Sequence, residues 1–174
     1  MQTRLISLFA FLGLAACVAP PTPPAPKAVS APPPVAAAPP LRLTGDWNDW
    51  PFTPGNWTYR RDGRGSIAQF GTPGRNPTIS FRCDLENRRI TILREVSAPG
   101  ARMVIRTSSM TKTVAVSASE ANSTYLAAAI ATTDSILDAM AFSRGRVLVE
   151  TEGQQPVILP SWAEIARIVE DCRG

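Results

Sequence analysis

Beyond residue 55, hydrophobic and polar residues alternate over short runs that are typical of β-strands. The stretch NWTYRRDGRGSIAQF contains two such runs around Asp62 and Gly63, which predicts a β-hairpin. In TISFRC, the residues Ile79, Phe81 and Cys83 share one face, so we expect Cys83 to point into the core. The runs RITILRE, ARMVIRTS and TKTVAVS continue the series, and RVLVETEGQQPVILP predicts a later hairpin. The pattern therefore predicts an antiparallel meander.

Two segments show the hydrophobic period of an α-helix instead of the alternation of a strand. In TTDSILDAMAFSRG, Ser135 and Asp138 have the spacing of a capping box, which predicts one short internal helix. In SWAEIARIVEDC, Ser161 and Glu164 repeat that spacing. The residues that recur there at helical intervals, and that we expect on a buried face, are Trp162, Ile165, Val169 and Cys172. The predicted fold class is mainly β (α+β), an antiparallel β-sandwich or partly open barrel with one short internal helix and a C-terminal helix.

The first residues have the order of parts that an export signal needs. A basic end with Arg4 precedes an apolar run over 5–16 that finishes in small residues. This run has about twelve residues, whereas a membrane-spanning helix needs roughly 20. We therefore expect residues 1–16 to be a signal peptide.

The apolar run ends in LAAC, which resembles the lipobox of bacterial lipoproteins. In that family the cysteine, here Cys17, carries palmitate and other acyl chains and becomes the first mature residue. An aspartate directly after the cysteine retains such proteins in the inner membrane, and this chain has Val18 there. The resemblance implies attachment to the outer membrane through lipid at Cys17, with the domain facing the periplasm.

The acylated cysteine and the chain behind it, residues 17–40, are predicted to be a linker. Residues 18–40 include ten prolines and seven alanines. Proline fixes φ and removes amide donors, so neither a helix nor a sheet is expected there. Such a chain favours extended polyproline II. The remainder, 41–174, is long enough for a single β-rich globular domain.

The cysteine count fits an oxidising compartment. With Cys17 used for lipid, Cys83 and Cys172 remain as an even pair, and we expect a disulfide between them. A reactive thiol and a metal ligand are the alternatives. The chain has neither a CxxC motif nor a histidine to complete a zinc site, so we expect no metal and no cofactor.

The charge of the domain gives little reason to expect a nucleic-acid partner. Of the 18 basic residues, Arg4 belongs to the signal and Lys27 to the linker, which leaves 16 against 14 acidic residues, a net charge of +2. We expect no nucleic-acid binding.

The absence of histidine excludes Ser-His-Asp triads and Cys-His pairs. Two carboxylate pairs remain as candidates for glycan hydrolysis, and the same spacings fit turns and helix caps. These pairs are Asp46 with Asp49 and Asp134 with Asp138. Lys112, the only lysine of the domain, would be a nucleophile only if it were buried. We therefore expect no enzyme.

The stretch GDWNDWPFTPGNW is the first candidate for a partner surface. Its three tryptophans are Trp47, Trp50 and Trp57. They could form an aromatic platform for carbohydrate or peptide, and they could equally seal one end of the sandwich.

The stretch AFSRGR is the second candidate, because it places Arg144 and Arg146 at a helix-to-strand junction. An arginine fork suits a carboxylate or a phosphate. The other interpretation is an internal ion pair with Glu150 or Asp138.

Across 41–174, an RC strand, an LDAMAFSRGR junction and a closing DC helix occur together. In this the domain resembles small uncharacterised proteobacterial lipoproteins and, more distantly, periplasmic all-β accessory proteins of the invasion-associated and secretion-associated kinds. The resemblance implies interaction rather than catalysis. We therefore expect a lipid-anchored periplasmic binding or structural accessory protein, with an envelope protein or a cell-wall polymer as partner.

Two other functions stay open at this point. One is a lipoprotein inhibitor of lysozyme or protease, since such inhibitors also combine a lipobox, a small β-barrel and one disulfide. The Ser-Gly loop signature of membrane-anchored lysozyme inhibitors is not found in this sequence. The other is an envelope glycan hydrolase, which only the carboxylate pairs support.

Overall fold

Two antiparallel sheets and two helices make up the part of the chain that the computed structural model describes, residues 43–96 and 102–174. These residues belong to one compact unit, Pro39–Gly174. The predicted signal peptide, Cys17 and the predicted linker lie outside the described residues. None of the described helices is long and apolar enough to cross a membrane.

The ten described strands follow the alternating runs of the sequence. They are β1 (Asn56–Asp62), β2 (Gly65–Gly71), β3 (Ile79–Asp84), β4 (Arg89–Glu95), β5 (Arg102–Arg106), β6 (Thr111–Ala115), β7 (Ser117–Ala118), β8 (Tyr125–Ala131), β9 (Arg146–Thr151) and β10 (Val157–Pro160). The helices are α1 (Ser135–Ala141) and α2 (Ala163–Arg173), and a short 3₁₀ turn covers Trp47–Asp49.

The larger sheet has six strands in the order β1-β2-β3-β4-β8-β7, and the smaller has four in the order β10-β9-β5-β6. All paired neighbours are antiparallel. The chain passes from the small sheet to the large one between Ala115 and Ser117. The two sheets do not close into a barrel. The predicted fold class, mainly antiparallel β with one short internal helix and a C-terminal helix, is confirmed.

One hydrophobic core lies between the sheets and beneath both helices. Because successive side chains of a strand point to opposite faces, β4 buries Ile90 and Ile92 completely while Thr91 stays partly exposed. The core takes residues from every layer, among them Phe70, Phe81, Ile105, Val149, Leu137 and Ile168.

Helix α1 begins one residue earlier than the capping-box spacing suggests. Asp134, not Ser135, is the N-cap, and its carboxylate accepts a hydrogen bond from the backbone N–H of Ile136 at 3.0 Å. Asp138, the partner of Ser135 in the predicted box, instead accepts hydrogen bonds from Arg173. The predicted cap was wrong because the ionised carboxylate of Asp134 accepts the amide hydrogen bond and also interacts favourably with the positive end of the helix dipole.

The predicted capping box of α2 was also wrong. Trp162 occupies the N-cap position without a side-chain hydrogen bond, and Ser161 Oγ instead donates to the carbonyl of Met140 at 3.2 Å. Trp162, expected on the buried face, is 51% exposed because it precedes the helix, where the helical period no longer applies. The buried face consists of Ile165, Ile168, Val169 and Cys172.

The predicted disulfide between Cys83 and Cys172 is present. It joins β3 to α2 across a Cα–Cα distance of 5.4 Å, and both residues are at most 1% exposed. Arg173 adds a bidentate ion pair to Asp138 of α1, with N–O distances of 2.6 and 3.0 Å. The last helix is therefore fastened both to the large sheet and to the other helix.

Candidate functional site

The three tryptophans of the segment 47–57 do not act as one group. Trp57 belongs to the core: it is 7% exposed, and its ring centroid lies 5.2 Å from that of Phe70 and 5.8 Å from that of Phe81. Its indole N–H donates to the carbonyl of Pro160 at 3.0 Å. The interpretation of a core seal is therefore correct for Trp57.

Trp47 and Trp50 remain half-buried at the surface, on the 3₁₀ turn. Asp46 caps this turn by accepting the backbone N–H of Asn48 at 2.9 Å. The indole N–H of Trp50 donates to the carbonyl of Thr44 at 3.2 Å, which closes the turn from the other side. The ring of Trp50 is thus held in place by a local hydrogen bond, and the backbone that carries Trp47 is held by the cap.

Arg146 fastens this turn to the small sheet. Its Nη1 donates to the carbonyl of Trp50 at 2.7 Å, and its guanidinium lies 4.6 Å from the ring centroid of Phe52. A cation over an aromatic face is favourable, so this side chain is used in packing.

Arg144 is placed differently, because its side chain is exposed. Its backbone N–H donates to the hydroxyl of Ser108 at 2.9 Å, which fixes the main chain. Its guanidinium forms no ion pair with any residue of the described ranges 43–96 and 102–174.

The predicted internal ion pairs of this junction were wrong. Glu150 contacts Arg106, with 3.4 Å between Oε2 and Nη2, and Asp138 contacts Arg173. Each carboxylate is paired with an arginine from another element, which sequence proximity could not show.

Three distant parts of the chain meet in a cleft of about 480 Å³, which we call the Trp47 cleft. Trp47 and Asn48 form one wall, Arg144 another, and the β5–β6 loop with Arg106 the third. The guanidinium of Arg106 lies 6.0 Å from the ring centroid of Trp47. Two predicted surface residues, Trp47 and Arg144, are therefore brought together, while Trp50, Trp57 and Arg146 support the surrounding structure.

The β5–β6 loop owes its shape to Thr107. Its buried hydroxyl accepts the backbone N–H groups of Ser109 and Met110 at 3.3 and 3.0 Å and donates to the carbonyl of Met110 at 3.0 Å. These bonds satisfy the polar groups of the turn and leave the hydroxyls of Ser108 and Ser109 at the exposed rim.

Ser108 connects the loop to the junction after α1. Its backbone N–H donates to the hydroxyl of Ser143 at 3.0 Å, and Ser143 in turn donates to the carbonyl of Arg146. With the bond from Arg144 to Ser108 Oγ, the two walls are fixed relative to each other. The cleft is thus pre-organised, which lowers the entropy lost on binding.

The Trp47 cleft carries positive charge. No acidic side chain lines it within the described part of the chain, whereas Arg106 and Arg144 both do. Arg106 is paired with Glu150 and its Nε atom is buried, so the exposed guanidinium of Arg144 is the donor that a ligand can reach. An anionic group entering the cleft would meet the guanidinium of Arg144, which has no ion pair among the described residues.

Three of the four candidate carboxylates, and Lys112, make contacts that stabilise the fold. Asp134 caps α1 and lies 2.5 Å from Lys112 Nζ, and this hydrogen bond lowers the pKa of Asp134. The bond from Arg173 likewise lowers the pKa of Asp138. Asp46 caps the 3₁₀ turn, and Asp49 is exposed. These contacts are those of caps and ion pairs.

A second cleft, of about 420 Å³, was not anticipated from the sequence. There the carboxylate of Asp171 accepts hydrogen bonds from the hydroxyl of Tyr59 and from Arg61 Nη2. Burial alone would raise the pKa of Asp171, but these bonds outweigh it and lower the pKa. Tyr59 and Asp171 are 112 residues apart, so no local pattern could reveal the pair. Its effect is to hold the end of α2 on the first hairpin.

Two large aromatic residues stand out by their exposure. Phe142, after α1, is 80% exposed, and Trp162, before α2, is 51% exposed. Neither lines the Trp47 cleft. Trp162 is therefore a suitable reference position for substitutions of Trp47.

Among the described residues there is no group of three or more side chains that could hold a metal ion. Comparison with protein-family models, with curated proteins and with solved structures finds no match for this chain.

Proposed function

We propose that this chain is a lipid-anchored lipoprotein of the outer membrane whose β-rich domain binds an envelope component in the periplasm through the Trp47 cleft. The observation that carries the binding part is the meeting of Trp47, Arg106 and Arg144 in one cleft, from three segments far apart in sequence. The anchoring part is supported by the lipobox-like LAAC that ends in Cys17.

The unpaired guanidinium of Arg144 favours a binding role for this cleft. The guanidiniums of Arg173 and Arg146 hold parts of the fold together, whereas that of Arg144 lies at the cleft without an ion pair in the described part of the chain and is available to a ligand. Hydrogen bonds to charged groups contribute about 1.5 to 3 kcal/mol, so an anionic partner would gain from this donor.

The proline-rich stretch fits the same function. If extended as polyproline II, residues 18–40 would reach roughly 70 Å at about 3.1 Å per residue. A domain on such a tether can search a large volume next to the membrane while it stays anchored. The disulfide between Cys83 and Cys172 fits an oxidising compartment such as the periplasm.

Anchoring is tested by the substitution Cys17→Ser. It should abolish the incorporation of radiolabelled palmitate and release the protein from the membrane fraction, because one cysteine supplies the whole lipid attachment. A matched variant, Val18→Asp, should keep the palmitate and move the protein to the inner membrane, as the resemblance implies. Unlabelled wild-type protein, or an unchanged distribution of Cys17→Ser, would contradict the lipoprotein assignment.

Binding is tested by affinity capture from envelope extract. Trp47→Ala and Arg144→Gln should each reduce capture at least tenfold, because each removes one wall of the cleft, with melting temperatures within two or three degrees of wild type. The controls are Trp162→Ala and Arg75→Gln, which change an exposed tryptophan and an exposed arginine outside the cleft.

Equal capture by all four variants would contradict the assignment of the cleft. A wild type that retains no envelope component would contradict the binding function itself. The identity of the captured component also separates the functional classes. A hydrolase would favour the inhibitor interpretation, whereas a cell-wall polymer or an envelope complex would favour the accessory role.

A further inference from the structure

The charge of the Trp47 cleft defines one part of its ligand. Arg144 has an exposed guanidinium without an ion pair among the described residues, whereas Arg106 is paired with Glu150. No carboxylate of the described residues lines the cleft itself, so Arg144 gives it an uncompensated positive charge. A planar guanidinium binds carboxylate or phosphate with paired N–H donors, so the ligand must carry such an anion.

The half-buried indole of Trp47 defines a second part. Its ring lies next to Arg106, whose guanidinium is 6.0 Å from the ring centroid. Because Trp47 and Arg144 line the same cleft, the apolar and the anionic parts of the ligand should belong to one small unit. A sugar ring with an acidic substituent has this combination, because its C–H face can lie on an aromatic ring while the substituent reaches the arginine.

Hydroxyl groups at the rim define the third part. Ser108, Ser109 and Thr111 are exposed there, together with Asn48, whose amide N–H group also donates to Asp46. Hydroxyls and amides both donate and accept hydrogen bonds, which matches the hydroxyls of a saccharide. Among the described lining residues, Met110 is the only aliphatic one, so the cleft offers little to the apolar side chains that anchor peptides.

From these features we propose that the Trp47 cleft binds an anionic saccharide, a sugar unit that carries a carboxylate or a phosphate. The inference rests on the binding function proposed above and names the ligand class of the same site. The volume of about 480 Å³ lies within the usual range for small-ligand sites and suits a mono- or disaccharide unit. In an envelope, the carboxylate would come from an acidic cell-wall sugar and the phosphate from a phosphorylated glycolipid headgroup.

The test is isothermal titration calorimetry of the full mature chain in detergent with matched sugars. The probes are N-acetylglucosaminyl-N-acetylmuramic acid, the same disaccharide with its carboxyl reduced to the alcohol, and N-acetylglucosamine 6-phosphate, with inorganic phosphate as a reference for the anion alone. At least one of the two acidic sugars should bind at least tenfold more tightly than the reduced disaccharide. The preference should weaken with added salt.

Variants locate the site. Arg144→Gln should remove the preference for the acidic sugar and leave the weak binding of the reduced disaccharide unchanged, while Arg144→Lys should retain part of the preference. Trp47→Ala should weaken all sugars together. Arg75→Gln and Trp162→Ala should behave as wild type. Stronger binding of the carboxylate sugar would indicate a cell-wall source, and stronger binding of the phosphate sugar a glycolipid source; each supports the inference.

Several results would overturn it. These are equal binding of the acidic and the reduced disaccharide, equally tight binding of an acidic tetrapeptide, and sugar binding that Trp47→Ala and Arg144→Gln leave unaltered. The absence of sugar binding by a wild type that still captures an envelope protein through the cleft would refute the ligand class and leave the proposed binding function standing. A wild type that neither binds sugar nor captures an envelope component would refute both the ligand class and the proposed binding function.

Discussion

Replacing Trp57 with alanine should lower the free energy of unfolding by about 3 to 5 kcal/mol, the usual range for truncating a buried tryptophan. The side chain is 7% exposed and packs on Phe70 and Phe81. Alanine would leave a cavity there. It would also remove the indole hydrogen bond to the carbonyl of Pro160, which would keep only the backbone N–H of Trp162 as a donor. Because Trp57 is in β1 and Pro160 in β10, the substitution also removes a bond between the two sheets.

Urea denaturation measures this effect, with an unchanged m-value as the sign that two-state unfolding is preserved. Trp57→Phe keeps most of the packing and lacks the N–H, so its loss should be clearly smaller than that of Trp57→Ala. Trp162→Ala is the matched control and should stay within about 0.5 kcal/mol of wild type, because Trp162 is exposed. A loss below 1 kcal/mol for Trp57→Ala would contradict a core role and revive the aromatic-platform interpretation for Trp57.

Removing the disulfide, through Cys83→Ala together with Cys172→Ala, should cost about 2 to 5 kcal/mol. The two residues are 89 apart in sequence, and the chain-entropy relation assigns about 4.6 kcal/mol to a loop of that size. The substitutions should destabilise helix α2 in particular as well as the domain as a whole. An isolated helix as short as α2, with 11 residues, is marginal in water, so it depends on its attachment.

Two measurements check this prediction. Urea denaturation of the double variant gives the loss of stability. Hydrogen exchange should show the amides of α2 losing more protection than those of β4 in the middle of the large sheet, although the ion pair from Arg173 to Asp138 still holds the helix. Peptide mapping of the non-reduced wild type, purified from the envelope, tests the bond itself. Two cysteines that can both be alkylated without a reductant would contradict it.

The prediction for Trp57 concerns the framework that supports the Trp47 cleft. Trp57 ties β1 to the end of β10, and β10 is paired with β9, which begins at Arg146. Arg146 in turn holds the tryptophan-bearing turn through the carbonyl of Trp50. A loss of core packing at Trp57 should therefore also loosen the cleft, which is why the binding experiments rely on Trp47 and Arg144 instead.

Local patterns in the sequence predicted the type and order of most elements correctly. Alternation in TISFRC placed Cys83 inward because the side-chain period of a strand is exactly two. The helical period similarly placed Ile165, Val169 and Cys172 on a buried face. Both periods depend only on near neighbours. They failed at Trp162, where the helix had not yet begun and the residue was free to face solvent.

The partners of charged residues could not be predicted in this way. Both Glu150 and Asp138 were considered as partners for the arginines of the AFSRGR stretch, and both pair with arginines of other elements. A surface carboxylate pairs with whichever guanidinium the fold brings within reach. That neighbour depends on strand order and loop conformation, which no short stretch of sequence contains.

The sequence by itself determined that the domain is mainly β, that its last helix has an apolar face, and that Cys83 and Cys172 are available to each other, because periodicity and cysteine parity can be read along the chain. Only the tertiary structure decided which aromatic and basic residues share a surface. It buried Trp57, left Trp47 beside Arg106 and Arg144, and joined Tyr59 to Asp171. The physical reason is that faces follow from local geometry, whereas sites arise where loops from separate strands end at the same edge of the fold.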